Sequence, residues 1–213
     1  MNRLAAIVAP HFNFDRSPGV TDWAEKNLII PREMSPRSPG PFSTASRPWS
    51  KEVLDPWHPE SGVERMDLAA GVQIFKTTAL AIGVGYRMRY SPVPVMIVGG
   101  NSTDFAKREI SKKRLHPLIK ANECLRALMP RDPNLFGLQE MSMAFAPILV
   151  TGAGSDTNLA GSTQGIVAID EAADLVDVAL REHLAAMDDD DLGGEGLDLV
   201  EDVARHDDGL ALQ

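Results

Sequence analysis

A lysine and a threonine set side by side at the mouth of an apolar helix constrain this chain more than any other feature. The stretch Ala70-Gly71-Val72-Gln73-Ile74-Phe75-Lys76-Thr77-Thr78 follows the run Val63-Glu64-Arg65-Met66-Asp67-Leu68-Ala69 and precedes Ala79-Leu80-Ala81-Ile82. The pattern predicts strand, tight loop and helix. A helix start presents free backbone N–H groups and the positive end of a dipole. Lys76 adds a mobile charge for phosphate oxygens, and the Thr77 hydroxyl suits Mg²⁺. The guest such a loop expects is a nucleoside triphosphate.

The usual loop of this kind, G-x-x-x-x-G-K-[ST], has glycine where this chain has Ala70 and Phe75. Glycine permits positive φ and close backbone approach, so an aromatic before the lysine asks for a different turn. A plain helix N-terminus remains open at this point. A second stretch bears on the choice. Gly165-Ile166-Val167-Ala168-Ile169-Asp170-Glu171 is an apolar run of buried-strand type that ends in two carboxylates. In nucleotide-hydrolysing folds the first such acid supports Mg²⁺ and the second orients or deprotonates the attacking water. A strand running into an acidic helix start has the same appearance.

Composition narrows the class. The 213 residues, 44% of them hydrophobic, suffice for one packed domain with an appendage. No apolar run approaches the roughly twenty residues of a membrane span, and the opening residues are too short in apolar content for a signal peptide, so a cytoplasmic protein without membrane partner is expected. The single Cys124 excludes an internal disulfide and a cysteine-based zinc site. The net charge of −9 is uneven: thirteen acids and two arginines follow from Asp174 onward, and the residues before it are mildly basic.

Pro31, Pro36, Pro39, Pro41 and Pro48 break the N-terminal region, where only Val20 to Leu28 has helical character, with Thr21 as its expected cap. A short helix is expected from Trp49 to Leu54 and a Pro-bounded turn at Trp57 and His58. A helix from Thr77 to Tyr90 should use Gly83 and Gly85 to pack closely on a sheet. Further expectations are a strand at Pro94 to Gly99, a helix from Thr103 to Lys120, and a hairpin from Met141 to Val150 turning near Pro147. That helix carries Lys107, Arg108, Lys112, Lys113 and Arg114, which fits either a phosphate-backbone contact or a solvated face. Strands alternating with helices predict an α/β fold with a largely parallel sheet, whose ligands bind at the strands' carboxyl ends.

Taken together, VTDWAEKN at Val20 to Asn27, Pro39-Gly40-Pro41-Phe42 with Arg47-Pro48, the loop from Gly71 to Thr78, NSTDFAKREISKKRLHPL from Asn101 to Leu118, GAGSDTNLAGS from Gly152 to Ser162, and Ile169-Asp170-Glu171 resemble the lambda-type (GpA-like) large terminase subunit. That family is the ATP-driven motor that packages DNA into the prohead of tailed bacteriophages. The resemblance spans roughly residues 20 to 174. It implies a P-loop NTPase-like, largely parallel sheet with flanking helices, incomplete at the C-terminus. It divides the chain into an N-terminal arm at 1–48, an ATPase-like core at 49–174, and an acidic tail at 175–213 that is partly helical or disordered.

The family's loop typically reads S-A-Q-V-G-K-T. Gln73, Lys76 and Thr77 match it, and Phe75 stands in place of glycine. The resemblance implies that Gly71, Gln73, Lys76, Thr77 and Thr78 bind ATP, with Lys76 on the β and γ phosphates. It also implies that Thr77 and Asp170 hold Mg²⁺ and that Glu171 activates water. Implied partners are double-stranded DNA, the small terminase subunit and the portal of the prohead, with a homo-oligomer as the active state. The family continues with further strands and a nuclease domain for which the residues after Asp174 leave no room, so a truncated, frameshifted or split gene without nuclease activity is expected. The run Asp188 to Asp191 does not replace that domain, because four consecutive like charges repel and face different ways. A non-catalytic remnant, or an assembly or binding protein, is the alternative. Arg47, Arg65, Arg87 and Arg89 are the candidate charge donors, and no spacing selects among them.

Overall fold

The computed structural model describes residues 17–36, 38–68, 75–100, 102–154 and 164–170. The chain divides after Ala172, and all described residues lie in the part before it. In chain order the elements are α1 (Val20–Asn27), β1 (Ile29–Ile30), β2 (Gly40–Pro41), α2 (Ser50–Leu54), α3 (Lys76–Tyr90) and β3 (Val95–Gly99). Then follow α4 (Thr103–Ala106), α5 (His116–Ala121), α6 (Glu123–Arg126), β4 (Glu140–Ser142), β5 (Pro147–Thr151) and β6 (Ile166–Asp170). A π-helical stretch, Lys107–Leu115, joins α4 to α5.

The main sheet has the order β4-β5-β3-β6. β3 pairs in parallel with both β5 and β6, and β4 is the antiparallel partner of β5 across a short hairpin. The fold is thus α/β with a mixed, mostly parallel sheet flanked by helices, as the alternating pattern predicts. β3 carries the run Val-Met-Ile-Val-Gly and is buried on both faces, the signature of a central parallel strand.

The N-terminal segment supplies a large share of the core. Val20, Trp23 and Ala24 of α1, with Leu28 just after it, are buried with Tyr86 and Ile82 of α3. Trp23 meets Tyr86 edge-on at 5.4 Å between ring centroids, and the Tyr86 hydroxyl donates to the Pro18 carbonyl at 2.6 Å. Buried Asn122 ties this segment to the helices beyond the sheet. Its Oδ1 accepts from the Ile29 N–H at 2.7 Å, and its Nδ2 donates to the carbonyls of Ile29 and Leu118. Every polar atom of that buried amide is therefore used, as burial demands.

Several local expectations are corrected. Val63 to Leu68 forms no strand; Val63, Met66 and Leu68 are exposed, because charged residues alternate with them and no strand pairs alongside. Gly19, not Thr21, occupies the cap position of α1, and the Thr21 hydroxyl instead donates to Asp55 at 2.7 Å. Gly83 and Gly85 permit close approach, but to Trp57 and Leu125 instead of the sheet: a Cβ on Gly83 would lie 2.1 Å from the Trp57 ring. β6 is not a fully buried strand. Among the described residues it lies at the sheet margin, with Val167 and Ile169 58% and 52% exposed.

Candidate functional site

The carboxyl ends of β3 and β6 lie side by side, with Gly99 in register with Asp170. The first turn of α3 meets them there. Thr77, its second residue, donates its hydroxyl to Asp170 Oδ2 at 2.9 Å across ninety-three positions of sequence. Lys76 and Thr78 flank Thr77 in that turn, where the first backbone N–H groups have no helical acceptor. Gly71, Gln73 and Glu171 lie outside the described residues.

Beside the Thr77–Asp170 pair is a cavity of about 210 Å³, also lined by Gly99, Phe105, Glu109, Ile110 and Arg114. Lys76 does not line it. Gly99 lies against Ile110 there: a Cβ on it would fall 2.3 Å from the end of the Ile110 side chain, which would have to move aside. The neighbouring loop is held by the Ser102 hydroxyl, which caps α4 by accepting from the Phe105 N–H at 3.1 Å. Gly152, just past β5, packs against that same turn; a Cβ on it would lie 2.3 Å from the Ser102 carbonyl carbon.

Phe105, Glu109, Ile110 and Arg114 reach one cavity because of the π-helical stretch. In an α-helix two residues five apart are turned about 140° from each other. A π-helix bonds each N–H to the carbonyl five back, which brings positions i and i+5 together. The His116 N–H bonds the Ser111 carbonyl in this way. Phe105 with Ile110, and Glu109 with Arg114, are such pairs. The cause lies one residue further on, where Pro117 offers no N–H and crowds the carbonyl of Lys113. Pro117 is the one sequence signal from which the altered winding could have been suspected. Neither Glu109 nor Arg114 was singled out as a site residue from spacing alone.

The charges here are unequally engaged. Glu109 accepts from Lys113 at 2.6 Å and from Arg108 at 2.9 Å, and these two hydrogen bonds hold its carboxyl below the usual glutamate range. Lys107 pairs with Asp104 at 2.7 Å. Arg114 is half-buried and donates through Nη1 to the Met34 carbonyl, and it makes no ion pair among the described residues. The other arginines named from the sequence do not line the cavity. Arg65 pairs with Asp67, and Arg87 and Arg89 sit in the last turn of α3, at the end away from Thr77.

Phe75 resolves how an aromatic fits before Lys76. It adopts φ 54°, ψ −10°, the left-handed conformation usually left to glycine, and no other non-glycine among the described residues has positive φ. Its ring stacks on Phe42 at 5.9 Å with an interplanar angle of 17°, and meets Trp49 edge-on at 5.9 Å. Left-handed backbone costs a non-glycine residue about 1–3 kcal/mol. Two aromatic contacts at about 0.5–1.5 kcal/mol each offset that cost. The ring is directed to Phe42 and Trp49 and does not line the cavity.

A larger hollow of about 440 Å³ carries none of these groups. Carboxylates Asp22, Asp55 and Glu60 border it, and Asp55 is already taken up by the Thr21 hydroxyl and N–H. Elsewhere, burial pushes the Cys124 thiol up and the His116 imidazole down, which makes both poor chemical groups at neutral pH. Among the described residues no three His, Cys, Asp or Glu side chains gather as a metal site, and no helix is long and apolar enough to cross a membrane.

Residues 36–188 match the family model described as phage terminase large subunit gpA, ATPase domain, well over half of the 213-residue chain. No curated protein and no solved structure matches the chain significantly.

Proposed function

We infer a nucleotide-driven role from one premise: the chain belongs to the phage terminase large subunit gpA family, and the matched part is that family's ATPase domain. It is accordingly a DNA-packaging ATPase module. The observation that carries the finer reading is the 2.9 Å hydrogen bond from Thr77 to Asp170, which joins a helix start to a strand end at the carboxyl edge of a parallel sheet.

ATP is the nucleotide and Mg²⁺ its metal. A threonine hydroxyl and a carboxylate are hard oxygen donors, and magnesium is commonly held by one or two carboxylates together with substrate phosphates, which Thr77 and Asp170 fit. When bound, Mg²⁺ neutralises charge on the transferred phosphoryl group. Thr77 and Asp170 would hold that ion, and the free N–H groups of the α3 start, with Gly71, Gln73 and Thr78, would bind the phosphates. Lys76 supplies a mobile cation to the β and γ phosphates. Glu171, next after Asp170, accepts a proton from the attacking water. Phe75 keeps the glycine-like backbone conformation, which supports a working loop in spite of the substitution.

The module acts on double-stranded DNA together with the small terminase subunit and the portal of the prohead, as a homo-oligomer. Most bases of the 103–115 helix are engaged within the chain, which favours a solvated face over a DNA track for that segment. The second reading, a non-catalytic remnant or assembly protein, rests on Phe75 in place of glycine. ATP turnover by the full chain, with DNA and Mg²⁺ supplied, separates the two. The enzyme reading expects turnover that falls by about 10²-fold or more in Lys76→Ala and in Glu171→Gln. No turnover in the unaltered chain would leave the non-catalytic reading.

A further inference from the structure

We propose that Arg114 is the intrachain cation that contacts the terminal phosphate of the nucleoside triphosphate, an assignment that rests on the nucleotide reading above. Among the described residues the cavity beside Thr77 and Asp170 is bordered by two carboxylates, Asp170 and Glu109, and by one cation, Arg114. Glu109 is paired with Lys113 and Arg108, neither of which lines the cavity. Among the described residues Arg114 is therefore the one basic side chain that borders this cavity, and its charge meets no carboxylate there.

Two features fit it for that task. The guanidinium is planar with five donors, so one N–H group can stay on the Met34 carbonyl while others face the cavity and an anion. Met34 is itself buried, so this tether fixes the head of a long side chain that would otherwise lose rotamer freedom on binding. The winding of the π-helical stretch is the second feature. It places Arg114 on the same side as Glu109, five residues earlier, and a regular α-helix would turn it away. π-helical turns recur at functional positions, and here the irregularity delivers a charge to the carboxyl end of the sheet.

The test uses the full chain and Mg²⁺ with ATP or ADP, read by titration calorimetry, with thermal melting of each unliganded variant alongside. Arg114→Gln keeps an N–H donor for the Met34 carbonyl and removes the charge, whereas Arg114→Lys keeps the charge. The expected result is a loss of about tenfold or more in ATP affinity for the glutamine variant, with ADP affinity changed less than twofold and the lysine variant within about threefold of the parent. Equal effects on ATP and ADP, or a lowered melting temperature with both affinities unchanged, would reduce Arg114 to a tether of Met34 and overturn the proposal. Thr77→Val separates the two readings. If the parent binds ATP, Thr77→Val abolishes it and Arg114→Gln does not weaken it, only the arginine assignment falls. If the parent binds neither nucleotide, the nucleotide reading falls and the arginine assignment with it.

Discussion

β3 and β6 are neighbours in perfect parallel register, yet they are held in opposite ways. All of β3 is buried, with Val95 and Ile97 at 0% exposure and strands on both sides. β6 pairs with β3 alone among the described residues, and turns Ile166 and Ala168 to the core while Val167 and Ile169 stay open. The strand that carries Asp170 is thus less buried than the strand that supports it. Chemistry placed at such a margin can shift without unfolding the sheet, since local stability follows buried contact. The Thr77 hydroxyl then matters more than a surface hydrogen bond would, because it is a second anchor for a lightly packed strand end.

The contrast can be broken or sharpened by three substitutions. Ile97→Ala removes a buried side chain from the doubly covered strand and should cost about 2–5 kcal/mol, read as a lower urea midpoint at unchanged slope. A loss below about 1 kcal/mol would mean that β3 is not the strand on which the sheet depends. Thr77→Val keeps the shape of the side chain and deletes the donor to Asp170. It should cost about 1 kcal/mol overall and speed amide exchange in β6 more than in β3. Equal acceleration in both strands would dissolve the distinction between them. Ile169→Thr should change stability by no more than about 0.5 kcal/mol, as for other exposed positions. A penalty of about 2 kcal/mol or more would show that this face of β6 is covered in solution.

Periodicity and composition carried the sheet and its helices well. The runs at Val95 to Gly99 and Ile166 to Asp170, and the hairpin before Thr151, are short apolar segments bounded by turn residues, and they pair as such segments should. The convergence of Thr77 and Asp170 was legible for a different reason. Ligand sites of a parallel sheet gather at the carboxyl ends of its strands, and the start of α3 meets the end of β6 there, although residues 63–68 form no strand leading into α3. Val63 to Leu68 misled because apolar residues alternating with charges suggest a strand, although a strand needs a partner that local sequence does not specify. Arg114 stayed hidden because its orientation depends on how the helix is wound upstream of Pro117, and helical spacing rules assume the α pitch. The cap of α1 was misplaced for a simpler reason. The Thr21 hydroxyl had a better acceptor in Asp55, thirty-four residues away, than in its own helix.

The backbone at Phe75 has one more implication. A glycine before the lysine could cross freely between left- and right-handed states, so the loop it ends would settle only once an anion arrived. A phenylalanine anchored by Phe42 and Trp49 has little such freedom. Phe42 in turn hangs from the Leu28 carbonyl at the end of the β1–β2 ribbon. The peptide just ahead of Lys76 is thus linked to the β1–β2 ribbon through the Phe75–Phe42 stack.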